Sequence, residues 1–171
     1  MKNFFQQPKY IVLLLCIAVS LNSYSQTILD SEDFESGSFS STIWNDGGYD
    51  CIMTSYYAIS GSYSPYIRDN SSSSVMYTDD LDISMYDSVT IEFDYSAYGY
   101  DSGEDFFIEF SNDGGSSWSN TPVLQYVRGT DFNNYTVYTD VVATAENSTY
   151  SFTSNSRFRF RSDGSWYGED I

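Results

Sequence analysis

The sequence predicts an all-β chain folded as an antiparallel β-sandwich of the jelly-roll kind. Three observations lead there. Apolar and polar side chains alternate along several short runs. Turn residues punctuate those runs at close intervals. No stretch sustains an apolar stripe at the helical period of about 3.6 residues.

The chain has 171 residues and opens on an export signal. Lys2 and Lys9 give residues 1–25 a positive start, Ile11 to Leu21 is an apolar stretch, and Ser23 and Ser25 place small residues where cleavage before Gln26 would occur. The apolar stretch is shorter than the roughly 20 residues a membrane-spanning helix needs, so no membrane insertion is expected after cleavage. Cys16 leaves with the signal. Cys51 is then the mature chain's single cysteine, with no internal disulfide available to it in an oxidising compartment. A secreted or cell-surface domain covering residues 26–171 is expected.

Charge narrows the function. The chain carries 24 acidic residues, 7 basic ones and no histidine, for a net charge of -17. Past residue 25 the only cations are Arg68, Arg128, Arg157, Arg159 and Arg161. Phosphate affinity comes from clustered Lys and Arg, so nucleic acid is excluded as a partner. A histidine base, nucleophile or metal ligand is excluded outright. Disordered acidic chains are poor in aromatics, whereas this one has 17 Tyr, 12 Phe and 3 Trp, so its acidity coats a packed core.

The strands read in order. Along Ser88 to Gly99, Val89, Ile91, Phe93, Tyr95 and Ala97 take one face while Thr90, Glu92, Asp94 and Ser96 take the other. Along Asp105 to Phe110, Phe106, Ile108 and Phe110 oppose Phe107 and Glu109. Pro122 to Val127 and Asn134 to Val142 are rich in Val, Tyr and Thr, and in Arg157 to Arg161 two phenylalanines oppose three arginines. Such runs fit sheets with one buried and one wet face. Turn clusters lie between them at 46–48, 60–62, 70–74, 100–103, 113–115 and 163–165.

Three segments together carry a resemblance. The first is Glu32-Asp33-Phe34-Glu35-Ser36-Gly37, followed by Trp44. The second is Ala58-Ile59-Ser60-Gly61-Ser62-Tyr63-Ser64, leading to Arg68-Asp69. The third is Phe158-Arg159-Phe160-Arg161, with Gly168-Glu169-Asp170-Ile171 at the end. Their order resembles MAM-like and concanavalin-like jelly-roll modules of secreted Bacteroidetes-type proteins. It is also similar to jelly-roll carbohydrate-binding modules that open on Asp-Phe-Glu and carry a Ser-Gly-x-x-Ser turn. The resemblance implies a non-catalytic module, and a closing strand reading roughly Ile-Asp-Asp-Val beyond Ile171. The domain is therefore expected to be C-terminally incomplete. The resemblance also implies a structural calcium ion tying the opening Glu35 to a closing acidic strand. Asp33, Asp69, Glu169 and Asp170 are added as further oxygen sources without a motif match, since Ca²⁺ takes six to eight hard oxygens.

Four other features have two readings each. Ser111-Asn112-Asp113-Gly114-Gly115-Ser116-Ser117-Trp118 follows the S-x-D-x-G-x-S-W box of sialidases, but a single box is a hairpin-closing turn. Carboxylate pairs such as Glu92 and Asp94 share a strand face and could suit glycoside hydrolysis, although pairs arise by chance in so acidic a chain. Arg157, Arg159 and Arg161 are either a cradle for an anionic polymer or cross-strand partners of Glu92, Asp94 or Glu109. Trp44, Tyr56, Tyr57, Tyr98, Tyr100, Trp166 and Tyr167 are either sugar-stacking platforms or packing residues. Trp44, Trp166, Tyr167 and Arg159 are the expected ligand contacts. The functional expectation is a secreted binding or adhesion module for glycans or surface polymers. Its alternative is the accessory N-terminal domain of a secreted hydrolase, most readily a peptidase.

Overall fold

The computed structural model describes residues 26–166 and 168–171; the expected signal segment, residues 1–25, and Tyr167 lie outside the described residues. Nine strands follow in chain order. They are β1 (Trp44–Asp46), β2 (Cys51–Thr54), β3 (Ser64–Ile67), β4 (Val75–Thr78), β5 (Ser88–Ser96), β6 (Asp105–Ser111), β7 (Leu124–Val127), β8 (Val137–Glu146) and β9 (Arg157–Ser162). Among the described residues, helix is confined to a 3₁₀ turn at Phe39–Ser41 and one α-turn, Asn147–Tyr150.

All ladders are antiparallel. One layer is a five-stranded sheet in the order β1-β4-β9-β6-β7. The other holds the β2–β3 hairpin and the β5–β8 ladder. Residues 169–171 join these two pieces: Asp170 pairs with Arg68 just past β3 and with Tyr98 just past β5. The second layer thus runs β2, β3, the terminal segment, β5, β8. Consecutive strands from β3 to β6 alternate between the layers, and the chain wraps as the jelly roll the sequence predicts.

Alternation explains the layers. In β9, Phe158 and Phe160 turn inward while Arg157, Arg159 and Arg161 turn outward. In β5, Tyr95 leads into the buried Ala97 and sits at the centre of the core, its ring 4.8 Å from Phe106, 4.9 Å from Tyr138 and 6.3 Å from Phe132. Phe93 of β5 meets Phe160 of β9 edge-on at 5.0 Å across the sandwich. Such pairs add about 0.5–1.5 kcal/mol each beyond their area burial. The β5–β8 register shifts between Phe93 and Tyr95, where Asp140 takes a left-handed φ of 56° and donates its N–H to the Asp94 carboxylate at 2.9 Å. Residues 134–136, expected within a strand, precede β8 as turn and loop instead.

Trp44 corrects an expectation. It lies on β1, half-buried, with its ring 5.7 Å from that of Phe160 against the core, and it is not a loop-tip contact. No helix among the described residues is long and apolar enough to cross a membrane.

Candidate functional site

The outer face of the second layer carries a row of tyrosines. Tyr57 stacks on Tyr66 with ring centroids 5.1 Å apart and planes 11° apart. It meets Tyr98 at 4.6 Å, and Tyr98 meets Tyr135 at 5.6 Å. The sheet places them. Ile67 and Ala97 point into the core, so their neighbours Tyr66 and Tyr98 must point out. Tyr57 comes from the loop after β2. Tyr135 sits before β8 at φ 63° with its N–H on the Ala97 carbonyl. Tyr135 is 76% exposed and Tyr56, beside Tyr57, is 90% exposed.

Beneath the row lies a polar foundation. Arg68 and Asp50 form a buried ion pair, Nε to Oδ1 3.3 Å, and Arg68 also donates to the Tyr49 carbonyl at 3.1 Å and lies over the Tyr49 ring at 4.8 Å. The serine run wraps the same carboxylate: Ser71 and Ser73 hydroxyls donate to Asp50 Oδ2 at 2.5 and 2.9 Å. These hydroxyls, Ser71 foremost, hold the Asp50 carboxyl below its ordinary range against the opposing effect of burial. Beside the Tyr66 ring, the Asp170 carboxylate has its Oδ1 buried without a hydrogen-bond partner. Burial raises the Asp170 carboxyl, with Tyr66 and Arg68 pulling the other way. The arrangement presents flat apolar ring faces with hydroxyl edges, the surface that suits a sugar's CH face and its OH rim.

The expected metal set does not converge. Asp33 Oδ1 accepts the Glu35 N–H at 3.0 Å, a local turn. Both Glu35 carboxylate oxygens accept backbone N–H groups, from Ser62 at 2.8 and 2.9 Å and from Tyr63 at 3.1 Å. Asp69 Oδ1 caps the Asn70 N–H at 2.8 Å. Asp170 lies in the tyrosine site. Among the described residues, the three-carboxylate group whose oxygens fall within 4.8 Å of one another is Asp101, Glu104 and Glu169. Glu104 there accepts the N–H groups of Asp101 and Ser165, at 2.6 and 2.9 Å. Burial opposes its ionisation, yet these bonds keep its carboxyl below the ordinary range. Burial, and then the Glu104 charge, raises the Glu169 carboxyl, so of the two it holds a proton the more tightly.

The arginine ladder is satisfied internally. Arg159 and Arg161 share Glu109 at 2.6 and 3.2 Å, Arg161 reaches Asp163 at 3.3 Å, and Arg157 takes Asp80 at 2.5 Å. Glu92 and Asp94, the other expected partners, belong to the opposite layer. Arg159 also covers Trp118 at 4.1 Å, which pins the hairpin after β6. In that hairpin Asp113 accepts the Ser117 N–H at 2.9 Å and hydroxyls of Ser111 and Ser117 at 2.7 and 2.6 Å, and its carboxyl falls to about 2. Trp166 is 74% exposed, and its N–H is tied to the Glu169 carboxylate. Cys51 is buried, and burial pushes its thiol up to about 12, so it packs as a small hydrophobe.

Sequence reading singled out Tyr57 and Tyr98 but missed Tyr66, Tyr135, Arg68 and Asp50 as parts of one surface. The signal for Tyr66 is its place next to the inward Ile67. Nothing local marks Tyr135.

Neither the family models nor the curated protein sequences match this chain. Among solved structures, the C-terminal family 22 carbohydrate-binding module of Clostridium thermocellum Xyn10B is similar, with a TM-score of 0.48 and 13% identity over 81% of this chain and 85% of that one.

Proposed function

We propose that this chain is an exported, non-catalytic module that binds glycan chains along the tyrosine row of its second layer. The observation that carries the reading is the contiguity of Tyr66, Tyr57, Tyr98 and Tyr135 on one solvent-facing surface. Contiguous rings are costly to leave open to water unless they serve as a contact surface. The Asp50 carboxylate beneath the rings is already committed to Arg68, Ser71 and Ser73. That supports holding over bond breaking. Strong net acidity favours a neutral sugar polymer over an anionic one. The same role would serve an accessory domain of a secreted hydrolase. Affinity electrophoresis of residues 26–171 through gels containing neutral polysaccharides tests the reading. Retardation by at least one polymer, relieved in Tyr98→Ala and Tyr135→Ala, is the expected result. Mobility unaffected by every polymer would end it.

A structural calcium ion is the second part of the proposal, supported by the Asp101, Glu104 and Glu169 group instead of the residues the opening motif suggested. Thermal melts with millimolar calcium or with chelator check it: the midpoint rises with calcium and the rise disappears in Glu169→Gln. Identical midpoints remove the ion.

A further inference from the structure

The outer face of the five-stranded sheet carries a small cavity, on the opposite layer from the tyrosine row. In β4, Met76 turns into the core, so Val75 and Tyr77 face outward. β9 lies beside β4 with Tyr77 opposite Arg159, and Arg157 and Arg159 share that outer face. The hairpin after β6 brings Gly115 and Trp118 against the same strands. These six residues line a cavity of about 270 Å³. Val75 is buried here although it lies outside the core cluster. Gly115 keeps the space open. It stands at φ 83°, and a Cβ there would lie 3.5 Å from Arg157 Cδ and 3.6 Å from the Trp118 ring.

The lining contains no carboxylate. The chain has 24 acidic residues, yet the charged groups facing this cavity are two of the five arginines found past residue 25. The ladder's ion pairs leave part of each guanidinium unused. Arg157 reaches Asp80, and Arg159 reaches Glu109, through Nε. Among the described residues, the Nη groups of these two arginines make no hydrogen bond. Aromatic rings hold the guanidinium groups in place: Arg159 lies 4.1 Å over Trp118 and Arg157 lies 5.8 Å from the centre of the Tyr77 ring. Glu109 is shared between Arg159 and Arg161, and Asp163 serves Arg161 alone. Burial above all, with the Arg161 charge added, works against the charge on Arg159 and outweighs the help of Glu109. A second carboxylate beside Arg159 would offset that.

We propose that this cavity binds one carboxylate-bearing sugar residue, a uronic acid carried singly on an otherwise neutral glycan. The Nη donors of Arg157 and Arg159, two positions apart on one strand face, receive the carboxylate. The ring lies against Tyr77 and Val75. The volume suits one ring and not a chain, since it falls just under the roughly 300–1,000 Å³ of common ligand pockets. A planar carboxylate matches the fixed fork of N–H donors that a guanidinium presents. The net charge of the domain repels a polymer charged at every residue, whereas a single charge held between two guanidinium groups is screened from that field. The choice of a sugar rests on the glycan reading of this module; the demand for an anion rests on the cavity itself.

The test titrates isotope-labelled residues 26–171 with methyl β-D-glucuronide, methyl β-D-glucoside and acetate, following the Trp118 indole N–H and the Arg157 and Arg159 Nε–H by NMR. Saturable shifts with the glucuronide are expected, with the glucoside and acetate each binding about tenfold more weakly or worse. Arg157→Gln should weaken glucuronide binding about tenfold and leave the fold intact, because so exposed an ion pair adds little to stability. Asp80→Asn removes the acid that competes for Arg157 and should tighten binding about twofold or more, a gain that a purely structural Arg157 would not give. Tyr135→Ala should change none of this, and retardation by neutral polysaccharides should survive Arg157→Gln, so either site can fail alone. Equal affinity for the glucoside would overturn the proposal, because the carboxylate would then be idle. Equal affinity for acetate would overturn it too, leaving an anion site that reads no sugar, as would a Trp118 signal that the glucuronide does not move.

Discussion

Tyr98 and Asp170 exchange both of their backbone hydrogen bonds, at 2.8 Å each way, and this pair joins the β5–β8 ladder to the β2–β3 hairpin through Arg68 on the far side. The tyrosine row crosses this seam: Tyr66 belongs to one piece, Tyr98 to the other. The platform therefore exists only while residues 169–171 stay in place.

Asp170→Pro tests the seam. It removes the N–H that Tyr98 receives and is expected to destabilise the domain by about 2–4 kcal/mol in urea titrations. Asp170→Asn keeps both backbone bonds and should behave oppositely. Burial raises the Asp170 carboxyl above its ordinary 3.8, so the folded chain holds that proton more tightly than the unfolded one. Stability from this group is then full below pH 3.8 and declines as pH rises through the folded pKa. Asn removes that decline. Equal stability of the two proteins near pH 3, with the Asn variant at least as stable at pH 7, is the expected outcome.

The Asp50–Arg68 pair has the reverse sign. Its carboxyl is lowered by Ser71 first, with Ser73 and Arg68 adding to the effect, so its contribution is present above 3.8 and is lost as pH falls through the lowered value. Asp50→Asn leaves a buried guanidinium without its carboxylate and should lose about 3–5 kcal/mol at pH 7. The difference from wild type should shrink in the acid limb below about pH 4. A substitution without effect at pH 7 would show the serine run, not the ion pair, to be what holds this corner.

Trp44 and Tyr135 should separate stability from binding. Trp44→Ala removes a half-buried ring from beside Phe160 and is expected to lower stability by about 2–3 kcal/mol while leaving the affinity of the folded fraction intact. Tyr135→Ala removes an exposed ring and should leave the melting midpoint within a degree or two, yet weaken polysaccharide binding about tenfold. The opposite assignment would move the binding surface to the β1 side of the sandwich.

Period-2 alternation was enough to read which face of each strand is buried, because a one-residue slip would invert every face of β5, β6 and β9. It was not enough to read the site. Tyr66 and Tyr98 lie 32 residues apart and meet through the terminal segment between them, a pairing no local pattern carries. The ligand set built on Glu35 did not come together, for a related reason. Glu35 looks like a cation ligand until its oxygens are seen to be filled by the Ser62 and Tyr63 amides. The arginine ladder went the other way. Cross-strand pairing was one of its two readings and is formed with Glu109, but choosing Glu109 over Glu92 or Asp94 required a strand and layer assignment that the sequence does not give.

The Glu35 contact gives a last prediction. Gly61 stands at φ 66°, and a Cβ added there would lie 2.2 Å from Glu35 Oε1. Two penalties therefore meet in Gly61→Ala: a left-handed backbone that alanine resists, at about 1 kcal/mol, and displacement of a carboxylate that satisfies the amides of the turn, at about 1–2 kcal/mol more. Glu35→Ala already gives up the second, so in that background Gly61→Ala should carry only the backbone term. A double-mutant cycle read by urea denaturation should give a coupling of about 1–2 kcal/mol. Strict additivity would mean that the opening segment and the Ser60–Ser64 turn are not held together by this carboxylate, and that the recurrence of these two motifs in one chain has another physical cause.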